Sequence, residues 1–210
     1  MFSTPTLSRR IFLAGAFLLL ANCAGSFAVA YNPVPVELAK SWSVKAVRVV
    51  VPSTLVVSEA DTMVPNADIV WRADPPGDRG TQVATVLKAG IERGVAKLKG
   101  PTPVVFDVQL TRFHALTRHA YQRAPAGTGV NSVGFLLTVR NAKTNEILMQ
   151  PQLVEADMPA AVAANDAAGL SYAQIDARTK AQIISVVANT VSGMLGLGPD
   201  VRTKFTRMGG

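Results

Sequence analysis

Apolar and polar residues alternate most strictly in "PVVFDVQLTRF". Val104, Phe106, Val108 and Leu110 fall on one side of an extended chain, and Val105, Asp107, Gln109 and Thr111 on the other. A period of two predicts a strand, and the slip of the apolar phase from Leu110 to Phe113 predicts a bulge near its end. Val133, Phe135, Leu137 and Val139 repeat the alternation. The turn residues "NAKTN" follow, so Glu146 to Glu155 is expected to return antiparallel as a hairpin. Upstream, "VKAVRVVVP" puts Val47, Val49 and Val51 on one face and Ala46, Arg48 and Val50 on the other, an interior strand that Pro52 ends. Shorter extended stretches are expected at Thr54–Val57 and Ile69–Trp71.

Two segments change to a helical period. Val83, Val86, Leu87, Ile91, Val95 and Leu98 form one stripe, with Asp78 or Thr81 as the cap and Gly100-Pro101 as the stop. Gly90 and Gly94 lie near that stripe, where small residues would admit the close approach of a sheet. Ile183, Ile184, Val187, Val191, Met194 and Leu195 form the second stripe, stopped by Gly196, Gly198 and Pro199. Its apolar face is core if it packs on the sheet, and a groove for a partner or lipid if it stays exposed. Residues 53–67 and 117–129 read as connections, and the Ala-rich stretch 158–169 fits neither period. The order of elements predicts an α+β fold: a mainly antiparallel sheet of about four to five strands with two helices packed on one face.

At the N-terminus the pattern is different in kind. Arg9 and Arg10 precede an unbroken apolar run from Ile11 to Leu20, the order of a bacterial export signal. The run is shorter than the roughly 20 residues a permanent transmembrane helix needs. "SRRIFL" resembles the twin-arginine export pattern, with Ala14 where that pattern has lysine. Leu20-Ala21-Asn22-Cys23 resembles a lipobox, although Asn22 stands where Gly, Ala or Ser is usual. The resemblance implies cleavage before Cys23 and acylation of its thiol. Acyl chains hold a protein to a bilayer at about 0.8 kcal/mol per buried methylene. Ala24, in place of the aspartate that retains enteric lipoproteins in the inner membrane, implies the outer membrane. The alternative is cleavage after Ala28-Val29-Ala30, releasing a soluble protein that begins at Tyr31. The expected organisation is therefore an export signal (1–22), a Pro-containing tether (23–43), a single α+β domain (44–198) and a basic flexible tail (199–210).

Composition narrows the chemistry. With Cys23 the one cysteine in 210 residues, no intramolecular disulfide and no cysteine-based zinc or iron–sulfur site can form. The net charge is +7, of which Arg9 and Arg10 leave with the signal. Export argues against nucleic acid as the partner of this charge and for the anionic surfaces of the cell envelope. The chain has no H-E-x-x-H, no G-x-S-x-G, no phosphate-binding loop and no dinucleotide fingerprint, and two histidines leave few ways to assemble a nucleophile with its base. The expectation is a non-catalytic protein with no cofactor and no metal. Arg112, His114, Arg118, His119 and Arg123 in "RFHALTRHAYQR" are the candidate anion-binding residues, beside the simpler reading of a solvated basic loop. "WRADPPGDR" reads first as an ion-paired turn at a helix entry.

The export signal, "VKAVRVVVP", "ADIVWRADPPGDR" before a helix, "RFHALT" and the hairpin around "LLTVRNAKTNEIL" together resemble a family of uncharacterised candidate lipoproteins of Gram-negative bacteria, a domain of unknown function. The resemblance supplies an address and no catalytic residue. The leading expectation is a lipoprotein anchored through Cys23 on the periplasmic side of the envelope, binding a protein or lipid component there. A soluble periplasmic domain that binds a small anion through residues 112–123 is the alternative. A hydrolase would need Asp74, Asp78 or Asp107 to converge in a cleft.

Overall fold

The computed structural model describes residues 24–125, 127–160 and 170–208. The export signal, Cys23 and most of the Ala-rich stretch lie outside them. In chain order the elements are β1 (Ala24–Ala30), α1 (Val36–Lys40), β2 (Trp42–Val50), β3 (Val57–Ser58), β4 (Ile69–Val70), α2 (Arg79–Val95), β5 (Thr102–His114), α3 (Arg118–Arg123), β6 (Val130–Asn141), β7 (Ile147–Ala156), β8 (Met158–Pro159), α4 (Tyr172–Met194) and β9 (Thr203–Met208). No helix among the described residues is long and apolar enough to cross a membrane.

Among the described residues, the expected antiparallel sheet of about four to five strands is replaced by a mixed sheet of nine, with four helices rather than two. The strand order is β3-β4-β5-β6-β7-β1-β9, with β2 also beside β5 and β8 beside β6. β2, β3 and β4 enter parallel to their neighbours, whereas β5, β6, β7, β1 and β9 are antiparallel in turn. The reason is the crossover through α2: a chain leaving β2 or β4 and passing over a helix returns in the same direction. The bulge lies between Leu110 and Arg112, and the hairpin turn closes with Asn141 N–H donating to the Glu146 carbonyl.

Val104, Phe106, Val108 and Leu110 of β5 point into one core with Val83, Leu87 and Ile91 of α2 and Ile183, Val187 and Val191 of α4. Trp42 meets Phe106, and Trp71 meets Phe113, both edge to face with centroids 6.2 and 5.3 Å apart. Each such side chain contributes about 1.5–3 kcal/mol when fully buried. The apolar face of α4 is thus core and offers no open groove. Gly90 and Gly94 permit a close approach, but of α4 rather than of a sheet: a Cβ at Gly90 would lie 2.8 Å from the Val187 Cβ, and one at Gly94 2.7 Å from the Ala188 carbonyl oxygen.

Both chain ends differ from expectation. The stretch expected as a tether forms β1 and α1, and the expected flexible tail forms β9, paired with β1 from Ala24↔Met208 to Val29↔Thr203. Val29 is buried, and Phe27 stacks on Phe205 at 5.8 Å. Ala28 N–H donates to the buried Asp157 carboxylate at 3.0 Å, while Asp157 N–H donates to the Ala28 carbonyl at 3.1 Å. Tyr31 O–H donates to Asp200 at 2.8 Å, and Val34 N–H to the Met194 carbonyl.

Candidate functional site

The turn before α2 gathers a cluster of charged side chains. Trp71 is fully buried and its Nε1–H donates to Asp74 Oδ2 at 2.8 Å. Pro75 and Pro76 turn the chain, and Asp78 caps α2 by accepting from Thr81 N–H at 3.2 Å and Thr81 Oγ1–H at 2.6 Å. Arg79, the first helical residue, is 5% exposed. Its Nε and Nη2 donate to the two oxygens of Glu59 at 2.7 and 3.1 Å. Its Nη1 donates to the carbonyls of Asp74 and Pro75 and to Gln82 Oε1. Every nitrogen of this guanidinium is engaged, so Arg79 staples the 53–67 connection to the entry of α2.

Beside this staple is a cleft of about 460 Å³ between the turn and the N-terminal half of α4. Arg72, Arg79, Arg118 and Lys180 line it, with the carboxylates of Asp74 and Asp176 and apolar walls from Pro75, Pro76, Ala173 and Ala177. Lys180 pairs with Asp74 and its ammonium lies 5.9 Å from the Trp71 ring centroid. Arg118 pairs with Asp176 at 2.7 Å and stacks 4.9 Å over Tyr172. Burial by itself would raise the Asp74 carboxyl, but hydrogen bonds from Lys180 and Trp71 and the nearby positive charges outweigh it and hold the group below its ordinary range. The Arg79 hydrogen bonds hold Glu59 low as well.

Arg72 is arranged differently. Its Nη1 lies 3.5 Å from Glu59 Oε2, while its Nε and Nη2 are out of solvent with no partner. Arg118 Nε is in the same condition. Of the five buried side-chain nitrogen and oxygen atoms without a partner among the described residues, three therefore belong to two arginines of this one cleft. A buried donor left without an acceptor costs about 1–3 kcal/mol, more for a charged group.

The sequence-predicted basic residues do not form one site. Arg112 Nε donates to Ser132 Oγ at 2.7 Å, and its Nη2 lies 3.4 Å from Asp157 and 3.7 Å from Glu155, in the network that joins β5, β6 and β7. His114 Nε2 is hydrogen-bonded to the Ala67 carbonyl, and burial pushes its pKa down, favouring the neutral ring. His119 N–H donates to Asp61 at 3.0 Å, and Arg123 is exposed at the end of α3. Arg118 alone of the five enters the cleft. The stretch expected as a basic loop is in part the short helix α3, whose Ala120 and Tyr121 are buried.

Three further residues of the site, Arg72, Arg79 and Lys180, were not among the candidates. The first two sit in "WRADPPGDR", whose ion-paired-turn reading holds for Arg79. The signal for Lys180 is the helical spacing of Ala173, Asp176, Ala177 and Lys180, which continues the line of Ile183, Val187 and Val191 towards the N-terminus of α4, where the apolar stripe gives way to charge. The carboxylates do not converge: Asp74 holds Lys180, Asp78 caps α2, and Asp107 pairs with Arg140 at 3.2 Å and Arg48 at 3.9 Å. Among the described residues no three metal-ligating side chains gather.

No curated protein matches the sequence. Among solved structures, the chain is similar to a candidate lipoprotein from Caulobacter crescentus at 11% identity, covering 77% of this chain and 90% of that one with a TM-score of 0.38. It is also similar to an uncharacterized protein, at 13% identity, 76% and 95% coverage and a TM-score of 0.36. A third similarity is to the hypothetical protein CT253 from Chlamydia trachomatis, at 11% identity, 70% and 96% coverage and a TM-score of 0.31. Scores and identities this low fix neither fold nor function. Residues 42–210 match a family of unknown function, DUF6778.

Proposed function

The chain belongs to the DUF6778 family of unknown function, and we propose that it is a non-catalytic lipoprotein, held through Cys23 on the periplasmic side of the cell envelope and binding a protein or lipid component there. The observation that carries the reading is the place of β1. It begins at Ala24, next to the lipobox cysteine, and lies between β7 and β9. Cleavage before Cys23 keeps this strand. Cleavage after Ala30 removes it, leaving β9 without its neighbour and the Asp157 carboxylate without the Ala28 N–H. A buried carboxylate that loses a hydrogen-bond donor costs about 1–3 kcal/mol before the lost strand pairing is counted.

With β1 beginning at the next residue, acylated Cys23 sets the domain against the bilayer with no spacer, a position suited to a component of the membrane itself. The separate engagement of Asp74, Asp78 and Asp107 supports a binding role over hydrolysis. Ala24 favours sorting to the outer membrane. The test is the intact mass of the mature N-terminus after membrane fractionation, for wild type and Cys23→Ala. An acylated N-terminal Cys23 in the membrane fraction, absent from the variant, is expected. A free N-terminus at Tyr31 in the soluble fraction would overturn the reading and leave the soluble anion-binding protein in its place.

A further inference from the structure

We propose that the cleft between the 71–79 turn and α4 is a binding site for a phosphate group, with Arg72 and Arg118 as its ligands. Two guanidiniums at this cleft, those of Arg72 and Arg79, share the Glu59 carboxylate. Nε and Nη2 form the side of the arginine fork that presents two parallel N–H groups, the geometry that matches a pair of oxygens on phosphate or carboxylate. Arg79 has this side filled by both oxygens of Glu59, at 2.7 and 3.1 Å. Arg72 meets the same carboxylate through Nη1, which leaves its Nε and Nη2 side without a partner. Arg118 is likewise held by one nitrogen, Nη2 on Asp176, with Nε unpartnered. Both residues line one cleft, and Lys180 adds a third cation to it.

The charge and shape fit the class of ligand. Arg72, Arg79, Arg118 and Lys180 outnumber Glu59, Asp74 and Asp176, so the site carries an excess of positive charge that an anion neutralises. The walls formed by Pro75, Pro76, Ala173 and Ala177 can hold the apolar stem of a phosphate ester, whereas free phosphate would use the cations alone. The phosphate can come from a lipid headgroup or from solution, and the stem separates the two sources. The site stands independently of the anchor at Cys23, since its residues belong to the folded domain.

The experiment titrates the full mature chain, in neutral detergent at low salt, with inorganic phosphate and with hexyl phosphate, followed by calorimetry. Arg72→Lys keeps the charge and removes the side-on fork, and it is expected to weaken binding by about tenfold or more. Arg118→Gln, at the second ligand, gives an independent reading if the first variant folds poorly. Lys204→Gln, on exposed β9, is expected to change binding little. Tighter binding of hexyl phosphate than of inorganic phosphate, lost with Arg72, assigns the lipid source. Equal binding of the two, still lost with Arg72, assigns free phosphate. Binding of neither, or equal loss in Lys204→Gln and Arg72→Lys, overturns the proposal.

Discussion

Arg72 and Arg79 are seven residues apart, both touch Glu59, and both line the same cleft, yet their surroundings ask different things of them. Around Arg79 the fold supplies an acceptor for every donor nitrogen, from a carboxylate, two carbonyls and an amide. Around Arg72 it supplies one distant carboxylate oxygen and no acceptor for Nε or Nη2. An arginine whose hydrogen bonds close within the fold holds the fold together. An arginine buried with open donors is maintained at a cost in stability, which a ligand can offset.

The largest expected effect comes from breaking the frame that both arginines share. Gly94→Leu would drive a side chain into the Ala188 carbonyl and separate α2 from α4, at a cost of about 3 kcal/mol or more in chemical denaturation. Next, Arg79→Ala leaves the Asp74 carbonyl and Gln82 Oε1 without this donor, and the Pro75 carbonyl with Gln82 Nε2–H alone, and is expected to cost about 2 kcal/mol. Exposure of the Glu59 side chain, 58%, keeps that figure below the value for a fully buried pair.

Acid should read the same asymmetry more weakly. Glu59 and Asp74 titrate below their ordinary values of 4.5 and 3.8 in the folded chain, so the unfolded chain takes up protons first as pH falls. Their stabilising contribution is complete above those values and is lost as pH drops below them towards the folded values. In Arg79→Ala the Glu59 share of this loss should disappear, a change visible in melting curves taken through that acid range. Smallest of all, Arg72→Met should raise stability by about 1 kcal/mol, because removing buried donors that have no acceptor outweighs the loss of one weak pair. A loss comparable to that of Arg79→Ala would place Arg72 among the structural residues.

The elements legible in the sequence are those whose side chains keep a clear period. β5 with its bulge, the β6–β7 hairpin and α2 with its Asp78 cap all follow from local alternation, helical stripe and capping chemistry. β1 was hidden because Ala24, Gly25, Ser26, Ala28 and Ala30 are too small to mark its faces. Its partner β9 is also at the opposite end of the chain, where no local pattern reports the pairing. The parallel entry of β2 followed from α2 crossing over the sheet, a relation of elements rather than of residues.

Of the cleft, Arg118 was identifiable as a basic residue in a charged run, and Arg79 as part of a turn. That Lys180 meets Asp74 across 106 positions follows only from α4 lying along α2, which the Gly90 and Gly94 contact sets. Arg112, His114, His119 and Arg123 show the converse: closeness in sequence on a strand and a short helix sent them to different neighbours.

The division of labour between the two arginines is tested most directly by the melting temperature of Arg72→Lys with and without hexyl phosphate, beside wild type. Wild type is expected to melt higher when the ester is present, and Arg72→Lys to melt as wild type does alone but to gain nothing from the ester. An undiminished gain in Arg72→Lys would contradict that division.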